Sequence, residues 1–195
     1  MIGIYNGVVD DVDIIKVSPM SRAYTFGDAV YGVIPYANGF IHYKQHINRF
    51  MESLKNLNIH LEQSIVEEDI AKLPVKDTGY VYYQVSKGID KIRSHIWEGD
   101  EPERFGFFAE HDLQPGEPKT LSILEDNRWT RCDIKTTGRP GNILGLETAM
   151  AKGFDDVLFE TNGYILESSA SNIFFVEDDI VHTPILSNNI LEGIT

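Results

Sequence analysis

Residues 128–138 read RWTRCDIKTTG and contain Lys135, the residue on which the assignment of this fold depends. The stretch before Lys135 is typical of a strand, and residues 136–140, with a glycine and a proline, are typical of a turn. A lysine in such a place is usually a solvated turn residue. A nucleophilic lysine must instead be partly desolvated, so that its neutral amine is accessible near pH 7. The segment by itself permits both interpretations.

A second segment, residues 162–173, predicts a strand that ends at Glu167. Because alternate side chains of a strand share a face, Glu167 lies on the same face as Ile165. Five small or polar residues, 168–172, follow it. Glu167 is therefore either an exposed edge-strand glutamate or a buried carboxylate that has a partner or a ligand.

Two further segments carry basic residues that could hold anions. The spacing of apolar residues predicts a helix from about Gln45, which places Arg49 in its first turn. The helix dipole disfavours a basic residue there, so we expect an anion held jointly by Arg49 and backbone N–H groups. Arg93 and His95 lie two apart in an irregular stretch, where they either converge on one carboxylate or are simply solvated.

The composition excludes several classes of protein. The chain has 195 residues and a net charge of −13, a field that repels phosphate backbones and argues against a nucleic-acid partner. No run of 18 apolar residues predicts a membrane span, and the first residues lack a secretory pattern. With Cys132 as the single cysteine, the cytoplasm is the expected location. The glycine motifs of nucleotide-binding proteins are missing, and His42 and His46 are expected to be exposed or capping residues rather than metal ligands.

Along the chain, strand and helix patterns alternate in a way that predicts an α/β (α+β) protein of two domains. The first domain is expected over 1–112, a proline-containing linker over 113–118, and the first part of a larger domain over 119–195. Asn38-Gly39 between apolar runs predicts a hairpin.

Six segments occur in a characteristic order. They are Arg22-Ala-Tyr-Thr-Phe-Gly27-Asp28-Ala-Val-Tyr31, His46-Ile-Asn-Arg49, Arg93-Ser-His95, Arg131-Cys-Asp-Ile-Lys135, Glu167 to Asn172, and Ile190 to Thr195. Together they resemble the class IV pyridoxal-phosphate-dependent aminotransferase family, which contains D-amino-acid and branched-chain aminotransferases and aminodeoxychorismate lyase. Within it, the pattern is most similar to that of bacterial D-amino-acid aminotransferases. The resemblance implies the two-domain fold of that family, pyridoxal-phosphate fold type IV.

The resemblance also implies a role for each matching residue. Lys135 would form the Schiff base with pyridoxal 5'-phosphate and carry the proton between substrate and cofactor. Glu167 would pair with the pyridine nitrogen and keep the ring an electron sink. Leu191 would support the ring face. Arg49 and the backbone N–H groups of Ile194 and Thr195 would bind the phosphate.

The expected substrates are an amino acid and a 2-oxo acid. In the resembling enzymes an arginine and a histidine at the positions of Arg93 and His95, with a tyrosine at that of Tyr31, hold the substrate α-carboxylate. They reach in from a neighbouring subunit, which implies a homodimer. The pair favours a D-amino acid as substrate. The alternatives are a branched-chain L-amino-acid aminotransferase and aminodeoxychorismate lyase.

The sequence also departs from the family pattern. Gly32 stands where relatives commonly have glutamate, Ala170 replaces a usual serine, and residues 136–140 are less apolar than in relatives. The family continues past the position of Thr195, so we expect the C-terminal domain to be incomplete. An inactive, cofactor-free remnant is therefore a third hypothesis.

Overall fold

The chain forms two units in the computed structural model, which describes residues 1–99, 101–113 and 116–195. The first unit contains Met1–Gln114, Lys135–Gly138 and Ile194–Thr195, and the second contains Pro115–Ile134 and Arg139–Gly193. The predicted linker, 113–118, includes residues 114 and 115, which lie outside the described part of the chain. The predicted domain boundaries therefore stay predictions.

The first unit is built on a five-stranded antiparallel sheet in the order β2-β1-β5-β4-β3. Its strands are β1 (Ile2–Tyr5), β2 (Val8–Asp11), β3 (Ala29–Ala37), β4 (Thr78–Ser86) and β5 (Glu103–Glu110). Alternating apolar residues along β3 and β4 give each strand one buried face, as a half-covered antiparallel sheet requires. β4 pairs with β5 over residues 79–86 and 103–110.

Two helices, α2 (Tyr43–Asn56) and α3 (Gln63–Ala71), pack apolar residues into one core with the strands of this sheet. A short helix, α1 (Arg22–Phe26), precedes β3. Along α2 the buried residues Ile47, Phe50 and Leu54 recur at helical spacing and join one core with Val30 and Val81 of the strands. This packing fixes α2 against β3, the strand that carries Tyr31.

Two local expectations for this unit are wrong. The residues after Asn38-Gly39 do not form a second strand: they make a single bridge, Tyr36 to Phe40, and then enter α2. β3 pairs along its whole length with β4. Helix α2 also begins at Tyr43, so Arg49 lies in its second turn and away from the free N–H groups of the first turn.

The second unit has a three-stranded sheet in the order β6-β7-β8 and a small two-stranded sheet. Its elements are β6 (Leu121–Glu125), α4 (Pro140–Ala151), β7 (Asp156–Thr161), β8 (Tyr164–Ser168), β9 (Phe175–Glu177) and β10 (Ile180–His182). Strands β6 and β7 are parallel, and α4 lies between them in the chain, as a parallel connection requires. Asn162-Gly163 forms the turn between β7 and β8, and both residues have positive φ.

The stretch before Lys135 is not the expected strand. After β6, residues 128–134 form turns and bends. No helix in the described parts of the chain is both long and apolar enough to cross a membrane.

Candidate active site

Lys135 is held by backbone pairing along the outer edge of β3. The N–H of Tyr31 donates to the carbonyl oxygen of Lys135 at 2.9 Å, and the N–H of Thr137 donates to that of Ala29 at 2.9 Å. Val30 and Thr136 form the bridge between these two bonds. Nothing in the sequence around Lys135 predicts this partner, because the pairing joins segments about a hundred residues apart.

This pairing places the amine of Lys135 against Tyr31. The Nζ atom lies 3.4 Å from the Tyr31 hydroxyl and 4.5 Å from the centre of its ring. Tyr31 in turn stacks on Tyr82 at 5.7 Å, so its ring is supported from the neighbouring strand. Burial, and then the nearby Tyr31, raise the pKa of Tyr82 to about 12. Lys135 is therefore half-buried beside aromatic surface, which is the environment that a reactive amine needs.

Helix α2 places two polar residues, Ser53 and His46, near Lys135. The Ser53 hydroxyl accepts a hydrogen bond from the Lys135 N–H at 3.3 Å. Two turns earlier on the same helix is His46, which is only 4% exposed and whose two ring nitrogens have no hydrogen-bond partner. Burial, and then the charges of Arg49, Lys135 and His42, lower the pKa of His46 to about 4. His46 is thus a neutral, buried imidazole near two cations.

The environment of His46 corrects one expectation from the sequence. His46 is neither exposed nor a capping residue, whereas His42, at the N-cap position of α2, is exposed as expected. A lone histidine pattern cannot reveal such burial, because it depends on what the strands place over the helix. The described residues contain no group of three or more potential metal ligands.

Gly32 lies on the face of β3 that is turned toward the core. A Cβ atom built on Gly32 would lie 3.3 Å from the ring of Phe50. The ring of Phe50 therefore occupies the space beside Gly32, and a glutamate there would require Phe50 to move. Glycine in place of the glutamate of relatives therefore agrees with the packing of Phe50, from α2, against β3.

Glu167, in the second unit, is a buried carboxylate with two partners. Its Oε1 accepts a hydrogen bond from the Nη1 of Arg128, and its Oε2 accepts one from the N–H of Leu191 at 3.0 Å. Arg128 is also bound by Asp126 through two hydrogen bonds of 2.9 Å, and its guanidinium lies 4.3 Å from the ring centre of Phe159. The sequence allowed Glu167 to be either an exposed edge-strand residue or a buried carboxylate with a partner. The first alternative is wrong.

Burial raises the pKa of the Glu167 carboxyl above its ordinary value, and the opposing charge of Arg128 limits that rise. Arg128 lies seven residues before Lys135, and its contact with Glu167 was not predicted from the sequence. An arginine 39 residues before a glutamate has no local pattern that links the two.

Leu191 is held at its backbone. Its N–H donates to Glu167, and its carbonyl oxygen accepts a hydrogen bond from the Asn172 side chain at 2.8 Å. Ile194 is half-buried and Thr195 is exposed. Their expected role in binding phosphate stays a prediction.

The loop after Glu167 does not need a hydroxyl at position 170. Ser168 and Ser171 exchange two hydrogen bonds, one of 2.8 Å between backbone groups and one of 3.0 Å to the Ser168 hydroxyl. The carbonyl oxygen of Ser169 accepts hydrogen bonds from Arg139 and Asn142. Ala170 itself is exposed, so the loop keeps its shape without the serine of relatives.

Arg93 and His95 are both exposed, and both contact the ring of Phe26. The guanidinium carbon of Arg93 lies 4.4 Å from the ring centre, and the ring of His95 lies 5.5 Å from it. The structure therefore brings the two predicted carboxylate-binding residues around one aromatic side chain. Phe26 as their common support was not predicted.

The fold and these residues define the class of protein. The sequence pattern of the family described as amino-transferase class IV matches residues 30–195, and the chain belongs to that family. The family uses pyridoxal phosphate.

Individual proteins of the family are similar over most of this chain. A D-alanine aminotransferase from Listeria monocytogenes is 34% identical over 186 residues, which cover 89% of this chain. The match covers 64% of that relative, so the chain spans less than two thirds of its length.

Solved structures share the fold. The branched-chain amino acid aminotransferase of Escherichia coli superimposes with a TM-score of 0.85 at 20% identity, covering 99% of this chain and 70% of that chain. A hypothetical aminotransferase from Mycobacterium tuberculosis, in its PLP-bound form, does so with a TM-score of 0.80 at 17% identity, covering 99% and 74%. The expected α/β fold of type IV is confirmed.

Proposed function

We propose that this chain is a pyridoxal-phosphate-dependent transaminase that moves an amino group between a D-amino acid and a 2-oxo acid, as a homodimer in the cytoplasm. The observation that carries the proposal is the amine of Lys135, held 3.4 Å from the Tyr31 hydroxyl by backbone pairing to β3. A fixed, half-buried lysine is what covalent attachment of a carbonyl cofactor requires.

The residues present fit the cofactor chemically. When bound, pyridoxal phosphate supplies an electron sink for the negative charge that develops on the substrate Cα. Lys135 would hold the cofactor through its amine and move the proton at that carbon. Arg49, with the backbone of Ile194 and Thr195, would hold the phosphate, and Leu191 would pack on the ring.

Glu167 fits the partner of the ring nitrogen. A carboxylate has about four lone-pair positions, and Arg128 and Leu191 each use one of those on Glu167. Acceptor capacity therefore remains for a protonated ring nitrogen. The bond to Arg128 holds the carboxylate in place and favours its ionised form against the cost of burial.

The substrate would be held by its α-carboxylate. Arg93 and His95 offer hydrogen-bond donors on an exposed segment, and Tyr31 offers a hydroxyl beside Lys135. An arginine suits this task because its planar fork binds both oxygens of a carboxylate. Similarity to D-alanine aminotransferases supports the choice of a D-amino acid.

The cofactor assignment is tested on Lys135. Purified protein incubated with pyridoxal phosphate should turn yellow, and borohydride reduction should leave a phosphopyridoxyl group on Lys135, found by peptide mass spectrometry. The Lys135→Ala variant should stay colourless, whereas Lys152→Ala, which changes an exposed lysine, should behave as wild type. Absence of any adduct in the wild-type chain would reject the proposal.

The substrate assignment needs a separate assay. D-alanine and other D-amino acids, followed by L-leucine and L-valine, are offered to the loaded protein, and conversion of the cofactor absorbance is followed. We expect conversion by D-amino acids only. Strict turnover of the L-amino acids would contradict the role assigned to Arg93 and His95.

A further inference from the structure

Arg22, a buried residue of α1, is hydrogen-bonded to the segment that carries Arg93 and His95. Its Nε donates to Asp28 at 2.8 Å, and its Nη1 donates to Asp90 at 2.8 Å and to the carbonyl oxygen of Ser94 at 2.8 Å. Arg22 is only 5% exposed, so these charge-assisted bonds are shielded from water. One guanidinium thus binds the segment at two points, and one of them lies between Arg93 and His95.

Backbone hydrogen bonds add to these contacts where the segment begins, at residues 88–90. The N–H of Arg22 donates to the carbonyl oxygen of Gly88 at 2.8 Å, and the N–H of Asp90 donates to that of Met20 at 3.1 Å. Beside Arg22, the Ser21 hydroxyl donates to the buried carboxylate of Glu103. The beginning of the segment is therefore anchored beside β5, the strand that begins at Glu103.

Phe26, one turn after Arg22 on α1, contacts the part of the segment that contains Arg93 and His95. Its ring centre lies 4.6 Å from the guanidinium carbon of Arg22, 4.4 Å from that of Arg93 and 5.5 Å from the ring of His95. A phenyl face attracts a cation by about 0.5–1 kcal/mol at an exposed site. Two basic side chains in water would otherwise separate, because each has many rotamers and their charges repel when both are protonated.

From these contacts we infer that Phe26, backed by Arg22, is a positioning residue that presents Arg93 and His95 as one preformed carboxylate-binding pair. The inference rests on the proposed function for the roles of Arg93 and His95. Its physical content is preorganisation: a ligand that finds both donors in place does not have to order them itself. Phe26 touches no substrate in this scheme.

The test measures carboxylate binding without turnover. The chain is titrated with sodium propionate at constant ionic strength, and the imidazole signal of His95 is followed by NMR, assigned through the His95→Gln variant. Phe26→Leu keeps an apolar side chain of similar size but removes the ring face. We expect it to weaken propionate binding by about fivefold, which is the loss of roughly 1 kcal/mol.

Three further variants separate positioning from a general effect on folding. Phe26→Tyr restores the ring and should bind propionate within about twofold of wild type. Tyr24→Leu changes an exposed residue of the same helix and should have no effect. Hydrogen exchange at 89–97 should rise in Arg22→Lys, since a lysine ammonium cannot reproduce the planar set of three bonds.

The outcomes distinguish the inference from the proposed function. Equal affinity in wild type and Phe26→Leu, with loss in Arg93→Ala, would overturn the inference and leave the carboxylate site standing. No response of wild type to propionate would overturn both. A fivefold loss in Phe26→Leu in a chain that takes up no cofactor would support the inference while the transaminase proposal fails.

Discussion

Arg128 and Glu167 form an ion pair in which both side chains are more than nine-tenths buried, with 1% and 8% of their surfaces exposed. The pair joins the turn after β6 to the end of β8 within the second unit. Asp126 binds the same guanidinium, so the three charges sum to one negative charge in an apolar setting beside Phe159. Removal of Glu167 leaves Arg128 compensated by Asp126, but it deprives two buried donors, Arg128 Nη1 and the Leu191 N–H, of their acceptor.

We therefore expect Glu167→Ala to lower the free energy of unfolding by about 2–4 kcal/mol, the lower end reflecting the partner that Arg128 keeps in Asp126. Glu167→Gln, which retains an acceptor for Arg128, should lose less. Urea unfolding followed by circular dichroism measures both. Glu147→Ala, at an exposed helix position, serves as the control and should stay within about 0.5 kcal/mol of wild type. A Glu167→Ala protein as stable as this control would contradict the buried pair.

His46 makes the stability of the protein depend on pH. Its pKa is about 4 in the folded state and is expected near 6.5 in the unfolded state, so the unfolded chain binds the proton first. The stability that His46 contributes is complete above pH 6.5 and is lost as the pH falls toward 4. A difference of about 2.5 in pKa corresponds to roughly 3 kcal/mol.

The measurement for His46 is a series of urea unfolding curves between pH 7 and 4.5. His46→Asn should reduce the pH dependence of the unfolding free energy, whereas His60→Asn, at an exposed position, should leave it unchanged. If wild type and His46→Asn lose stability in parallel as the pH falls, the buried neutral state of His46 is wrong.

Cys132 should react slowly with alkylating reagents. Burial raises the pKa of its thiol to about 11, and the thiolate is the reactive species. At pH 8 we expect alkylation by iodoacetamide about a hundredfold slower than for a free cysteine in a peptide. The same protein in urea gives the reference rate. Equal rates in the folded and unfolded chain would contradict the prediction.

Asp69 anchors α3 to the sheet of the first unit. It is 2% exposed and accepts hydrogen bonds from the Tyr83 hydroxyl at 2.7 Å and from the Nε of Arg104 at 2.8 Å. Asp69→Ala leaves both donors without their acceptor and should cost about 3 kcal/mol of unfolding free energy. Tyr83→Phe, which removes one bond and leaves the ion pair, should cost about 1 kcal/mol.

The test for Asp69 is thermal unfolding of the two variants beside Glu68→Ala, a neighbouring exposed residue. Asp69→Ala should show the largest fall in melting temperature and Glu68→Ala almost none. A smaller effect for Asp69→Ala than for Tyr83→Phe would mean that Asp69 is not the centre of this network.

Local sequence was enough to predict the elements whose stability is local. Helix α2 follows from the spacing of Ile47, Phe50 and Leu54, and the turn at Asn162-Gly163 follows from residues that tolerate positive φ. The order of six short segments was enough to predict the family, and the match of the family pattern to residues 30–195 confirms that prediction. These features depend on neighbours within a few residues or on linear order, and a sequence records both directly.

Tertiary structure alone decided how the chemistry-bearing residues are held. The pairing of Lys135 with Tyr31, the bond from Arg128 to Glu167, the burial of His46 and the place of Phe26 beside Arg93 all join groups far apart in the chain or depend on what packs over them. An Asn-Gly pair forms the turn of a hairpin at 162–163 but not at 38–39, where the chain enters α2 and β3 pairs with the distant β4. A long-range contact forms when its burial and hydrogen bonds outweigh the entropy of closing the loop, and that balance belongs to the folded chain rather than to any local pattern.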